Sequence, residues 1–131
     1  MVKLNELFPY TFDPKYKKPV AYFSMEFATD QPLKIYSGGL GFLAGSHLRS
    51  AYELKQNLVG IGILWKKGYY DQERNLDQTL RVNFRDKDYH FLKDTHIVFP
   101  IIIHGARVYV KVFLLQAETF KTAPLFLLTT D

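Results

Sequence analysis

The chain has 131 residues, 47% of them hydrophobic and 16% aromatic, which is enough to build a packed core and excludes a disordered polymer. Its formal charge of +4 is spread along the sequence. The densest basic groups, Lys15, Lys17, Lys18 and Lys66, Lys67, are too short to make a nucleic-acid-binding stripe. Without cysteine there is no disulfide framework, no thiolate zinc site and no cysteine nucleophile.

Met1 to Phe12 mix Lys3, Asn5, Glu6 and Pro9 among apolar residues and lack the long apolar core of a signal peptide. The longest apolar stretches, Ile97 to Ile103 and Val108 to Leu115, fall short of the roughly 20 residues of a membrane span. A cytoplasmic protein is expected, with neither membrane nor nucleic acid as partner. Residues 1 to 19, punctuated by Pro9, Pro14 and Pro19, predict an extended arm. No repeat, low-complexity tract or linker divides the chain, so residues 1 to 131 read as a single domain or partial domain.

Val20 to Phe27 is almost continuously apolar and aromatic, which predicts a first strand buried on both faces of a parallel sheet. A loop with Ser37-Gly38-Gly39-Leu40-Gly41 follows. Phe42 to Lys55 then carries Ala44, Leu48, Ala51 and Tyr52 at helical spacing, slightly weakened by Gly45. Gln56-Asn57 breaks this helix, and Leu58 to Trp65 predicts a second buried strand that completes a βαβ unit. Tyr69 to Asp94 is polar, aromatic and charged, compatible with a short hairpin or an irregular excursion. Ile97 to Ile103 and Arg107 to Leu115 predict an antiparallel hairpin turning near His104-Gly105, and Pro124 to Thr130 offers one more strand.

Glycines between a buried strand and a helix permit positive φ and let backbone N–H groups approach a ligand without Cβ obstruction. The helix start adds partial positive charge, so the loop suits a phosphate or sugar hydroxyls. The spacing is neither the Gly-x-Gly-x-x-Gly dinucleotide fingerprint nor a Gly-Lys-Ser/Thr Walker loop. From spacing alone, glycines that merely permit a tight turn and close helix packing remain an equal alternative.

The wording around the loop resembles the amino-terminal region of the α-glucan (glycogen, starch or maltodextrin) phosphorylase family. Tyr22-Phe23-Ser24-Met25-Glu26-Phe27 resembles its first-strand motif, and Ile35 to Gly41 with Leu43-Ala44-Gly45 and His47-Leu48 resembles its glycine loop and following helix. Val59 to Leu64, Gly68 to Gln72 and Leu127 to Asp131 resemble later strands and a turn. The likeness is dense from Val20 to Gln72 and thin from Glu73 to Pro124.

This resemblance implies an α/β, Rossmann-like partial domain with an added antiparallel hairpin, the amino-terminal part of a two-domain glycosyltransferase of the GT-B type. It implies phosphorolysis of α-1,4-glucan by inorganic phosphate to glucose 1-phosphate, with pyridoxal phosphate in the cleft of the complete enzyme. It carries a substrate and phosphate contact onto Gly38, Gly39, Leu40 and Gly41, and a cofactor contact onto Tyr22. Family members are several times longer, and the cofactor-bearing lysine lies outside the matching motifs here. The chain alone is therefore expected to be inactive, and to self-associate through surface that a larger domain would cover.

A glycogen or starch synthase shares the architecture, but its loop usually opens Lys-x-Gly-Gly-Leu-Gly, whereas Tyr36 stands two before Gly38. A non-catalytic glucan- or protein-binding module is the alternative from another class. His47 reads as a surface or capping residue. His90, His96 and His104 lack metal-pair spacing, and Asp86, Asp88 and Asp94 lack a calcium loop, so no metal site is expected. Glu26 in an apolar strand needs a partner, and could orient a loop residue. Trp65, Tyr69 and Tyr70 could stack on sugars but read first as core.

Overall fold

A computed structural model describes residues 10 to 66 and 69 to 130. Its strands are β1 (Val20–Phe23), β2 (Leu58–Ile63), β3 (Asp71–Arg74), β4 (Leu80–Asn83), β5 (Lys93–Ile103), β6 (Ala106–Leu115) and β7 (Leu125–Thr129). Its helices are α1 (Gly39–Glu53) and α2 (Ala117–Phe120). A five-stranded sheet runs β1-β2-β7-β6-β5, parallel across β1, β2 and β7 and antiparallel beyond, while β3 and β4 form a separate hairpin. The architecture is therefore mixed α/β with an added antiparallel hairpin, β5–β6.

The βαβ unit forms because apolar residues lie on one side of each element. Across the parallel strands Tyr22, Gly60 and Leu125 share one row, and Gly62 aligns with Leu127. Opposite them α1 buries Ala44, Leu48 and Ala51, and these join Phe27, Leu58, Leu125 and Leu127 in one core. Close approach is enforced by glycine. A Cβ on Gly60 would meet the Leu48 methyls at 3.0 Å, and one on Gly45 would stand 2.2 Å from the Ala28 carbonyl oxygen.

Several expectations are corrected. The first strand ends at Phe23 rather than Phe27, because Ser24 turns the chain: its hydroxyl donates to the Glu26 carbonyl at 2.9 Å. It is not buried on both faces either. β1 is the sheet edge, with Val20 47% and Phe23 69% exposed. The second strand stops at Ile63, and α1 starts at Gly39, three residues before the apolar periodicity begins. The long hairpin lies where expected, turning at His104 (φ 49°) and Gly105 (φ 81°), the double positive φ of a tight two-residue turn.

The expected arm is described only from Tyr10, residues 1 to 9 lying outside the described residues. Its described part is pinned to the end of α1. The Tyr10 hydroxyl donates to the carbonyls of Gln56 (2.9 Å) and Ala51 (3.2 Å), and the Asp13 N–H donates to the Lys55 carbonyl. Burial in this nest pushes the Tyr10 phenol up to about 12.

The other sheet face carries Phe23, Ile61, Ile63, Leu128, Phe99 and Ile101. Two apolar hollows of 680 and 470 Å³ lie along it and share Ile63 and Leu128. Among the described residues no helix is long and apolar enough to cross a membrane.

Gly45→Ala is expected to destabilise the fold by about 1–3 kcal/mol through overpacking, although alanine in place of helical glycine would otherwise gain about 1 kcal/mol. Urea unfolding of the two proteins checks this, and a stabilised variant would contradict the close approach.

Candidate functional site

The glycine loop leaves β1 at the carboxyl end of the parallel strands, where open α/β sheets hold ligands. Its anchor is Glu26. Oε1 accepts hydrogen bonds from the Tyr69 hydroxyl (2.9 Å) and the Ser37 hydroxyl (3.1 Å), and Oε2 accepts the Ser37 N–H (3.2 Å). The Gly38 N–H is a further donor. Burial raises the Glu26 pKa, but these N–H and O–H donors outweigh it and hold the carboxyl below its usual value. Burial first, then the bond to Glu26, pushes the Tyr69 phenol up to about 12, so it remains a donor.

The strand end around Glu26 is tied down on both sides. The Trp65 indole N–H donates to the Met25 carbonyl at 3.0 Å, the Ala28 N–H to the Gly41 carbonyl at 2.9 Å, and the Arg49 guanidinium to the Thr29 carbonyl. Gly41 fits only because it lacks a side chain: a Cβ there would stand 2.5 Å from the Tyr36 Cβ and 3.1 Å from Glu26 Oε2.

Gly38 and Gly39 differ from Gly41. None of the three has the positive φ that glycine permits, but a Cβ on Gly38 or Gly39 would meet nothing within 4 Å. Their bareness is not required by turn or packing, so it keeps the space before the helix open. Gly38 caps α1 in an extended conformation, with no side-chain cap and no acidic residue in the first turn. The helix start therefore presents N–H groups and the positive end of its dipole without a side-chain counter-charge of its own.

Leu40 is 53% exposed. With Tyr22, Phe23 and Met25 it lines the 470 Å³ hollow, so Tyr22 and Leu40 share one cavity while Gly38, Gly39 and Gly41 lie outside its lining. The Tyr22 ring packs on His47 at 4.9 Å and edge-on to Phe27 at 6.0 Å. Among the described residues no group of three or more His, Asp or Glu side chains could hold a metal. Sequence reading gave Glu26 the need for a partner and a loop residue to orient, but not that Ser37 and Tyr69 would be the donors. The signal for them was Glu26 itself, a carboxylate in an apolar run that demands donors.

No protein-family model matches the chain. Over 114 residues, 87% of the chain, it is 52% identical to the uncharacterized protein MJ1631 of Methanocaldococcus jannaschii, of which it spans 22%. Over 64 residues, 49% of the chain, it is 48% identical to the maltodextrin phosphorylase of Thermococcus litoralis, spanning 8% of that protein. Part of this chain is phosphorylase-like. The glycogen phosphorylase of Mycobacterium tuberculosis is 47% identical over 58 residues, 44% of the chain and 7% of that enzyme. The chain thus spans less than a quarter of each of these relatives, and it is related to enzymes of carbohydrate metabolism.

Glu26→Gln is expected to cost about 1–2 kcal/mol at neutral pH, because an amide cannot accept all these donors. Since the folded pKa is depressed, the carboxylate's contribution is present above its unfolded pKa of about 4.3 and is lost as pH falls through the lower folded value. Urea midpoints of wild type and variant should therefore converge in that acid range. A gap unchanged from pH 7 to pH 3 would contradict the charge-based account.

Proposed function

We propose that this chain is the amino-terminal portion of an α-1,4-glucan phosphorylase and forms part of a Rossmann-like half of a GT-B type glycosyltransferase. The observation that carries the reading is the pair of unobstructed glycines, Gly38 and Gly39, at an uncapped helix start. Partial identity to maltodextrin and glycogen phosphorylases supports it.

In this reading a phosphate oxygen bonds to the anomeric carbon of the terminal glucose as the C1–O4 glycosidic bond breaks, the departing O4 takes up the phosphate's proton, and glucose 1-phosphate and a glucan one residue shorter are released. The N–H groups from Gly39 to Gly41 and the helix dipole stabilise negative charge on the phosphate, while Leu40 bounds the site on its apolar side. Glu26 takes up the Ser37 donors and so fixes the loop that carries these amides.

The resemblance also implies pyridoxal phosphate, which supplies a phosphate group for proton transfer in the complete enzyme. The hollow beside Tyr22 has apolar walls suited to a ring face, but among the described residues no lysine or arginine lines it. These residues do not fit the anchoring of the cofactor's phosphate. The 131-residue chain by itself should be catalytically silent, since groups from a second wall of the cleft are needed.

Gly39→Ala and Gly38→Ala should melt within a degree or two of wild type yet lower kcat/KM for maltoheptaose phosphorolysis ten-fold or more, about 1.4 kcal/mol, in the protein at its natural full length. Full activity in both variants would remove the loop from the site. The bare sheet face also predicts that the 131-residue chain self-associates. Sedimentation velocity should find a dimer or larger species that Ile61→Asp converts to monomer, and a monomeric wild type would contradict this.

A further inference from the structure

A cavity of 310 Å³ lies where β2 and β7 end, at the small end of the range of about 300–1,000 Å³ typical of small-molecule sites. It sits against the core rather than on the bare sheet face: Leu92 belongs to the core, and Leu64, Tyr89 and Phe113 pack on it. Three lysines, Lys66, Lys87 and Lys111, share the wall with one carboxylate, Asp88. Apolar surface and ammonium groups thus face the same space.

The wall formed by Lys87 to Leu92 is tied in place. The Lys87 N–H donates to the Lys66 carbonyl at 3.4 Å, the Leu92 N–H to the Tyr89 carbonyl at 3.0 Å, and the Tyr89 hydroxyl accepts the Lys34 N–H at 3.1 Å. The Tyr89 ring packs on Phe91 at 5.7 Å. A wall held in this way is formed before a ligand arrives, so little conformational freedom is lost on binding.

The charges differ in what they are committed to. Lys87 Nζ donates to Asp71 Oδ2 at 2.8 Å, and Asp71 lines not this cavity but a neighbouring 650 Å³ groove with Tyr36, Tyr69, Tyr70 and Gln72. Asp88 stands 3.6 Å from His90, with 81% of its side chain exposed. Lys111 is exposed and makes no ion pair among the described residues. On β6 it stands opposite Thr129 of β7, where the sheet passes from parallel to antiparallel pairing.

One uncommitted point charge beside apolar walls selects the ligand. A phosphate dianion calls for arginine forks or the amides of a helix start, and among the described residues neither lines the cavity. A single carboxylate on an apolar body suits both kinds of wall. We infer that this cavity binds a small apolar-bodied carboxylate, its charged end on the Lys111 ammonium and its body against Leu64, Leu92 and Phe113. The site is separate from the glycine loop and does not depend on the phosphorylase reading.

The test is calorimetric titration of the natural-length protein with 2-naphthoate, with 2-naphthamide to supply the body without the charge and acetate the charge without the body. Wild type should bind naphthoate, and each of the other two about ten-fold or more weakly. Lys111→Gln should lose about ten-fold in naphthoate affinity with an unchanged melting temperature, while Lys111→Arg and Gly39→Ala should bind like wild type. Naphthamide bound as tightly as naphthoate would overturn the site and point to the bare sheet face. Affinity lost in Gly39→Ala would overturn it in favour of the glycine loop. Wild-type affinity in Lys111→Gln, or a folded wild type that binds no naphthoate, would also overturn it. The comparison of naphthoate with naphthamide needs wild type alone, so it decides even where a variant fails to fold.

Discussion

The site depends on one carboxylate. Glu26 stands where β1 has ended and the loop begins to fold back, and its two oxygens gather the Ser37 N–H and hydroxyl and the Tyr69 hydroxyl, with the Gly38 N–H as a further donor. Hydrogen bonds to an ionised carboxylate are stronger than those between neutral groups, so this half-buried charge fixes the course of the chain around it. Three segments distant in sequence meet at that point: the strand end, the segment before α1 and the approach to the β3–β4 hairpin. Once Ser37 and Gly38 are committed to Glu26, the first turn of α1 is aimed outward and its amides are left for something else.

The glycines divide according to this geometry. Gly41 and Gly45 are small because the Tyr36 Cβ and the Ala28 carbonyl press on them, and Gly60 because Leu48 does. Gly38 and Gly39 are small against open space. The packing explanation for a glycine-rich loop therefore holds for Gly41 and not for Gly38 and Gly39, and spacing could never have separated them because both kinds of position carry the same letter in the sequence.

Much of the fold was legible. Apolar runs and glycine breaks placed the βαβ unit, and His104-Gly105 between alternating strands placed the long hairpin and its turn. What escaped was set by long-range contacts. Phe23 reads as a core residue because its strand is apolar on both sides, yet β1 is the edge of the sheet and Phe23 remains 69% exposed. Tyr69 and Trp65 read as ordinary aromatics because nothing local announces that a phenol will reach Glu26, 43 positions away, or an indole the Met25 carbonyl, 40 positions away. The short helix Ala117–Phe120 carries too few residues to leave a periodic signal. Tyr22 and Leu40 share a hollow only because β1 and the start of α1 converge at the carboxyl end of the sheet.

The bare apolar face and the polar groove give the molecule two distinct surfaces. One runs across β1, β2 and β7 onto the hairpin and has the character of a domain interior. The other, beside the loop, is lined by Tyr36, Tyr69 and Tyr70 with Ser37 and Gln72 and mixes aromatic and polar walls. The loop lies between them, at the strand ends where a parallel sheet concentrates its functional groups. The most direct measurement is a crystal structure of the protein with glucose 1-phosphate. The account predicts phosphate oxygens about 3 Å from the N–H groups of Gly39 to Gly41, with Glu26 still holding Ser37 and Gly38. A phosphate bound elsewhere, or a loop rearranged so that Glu26 releases Ser37, would contradict it.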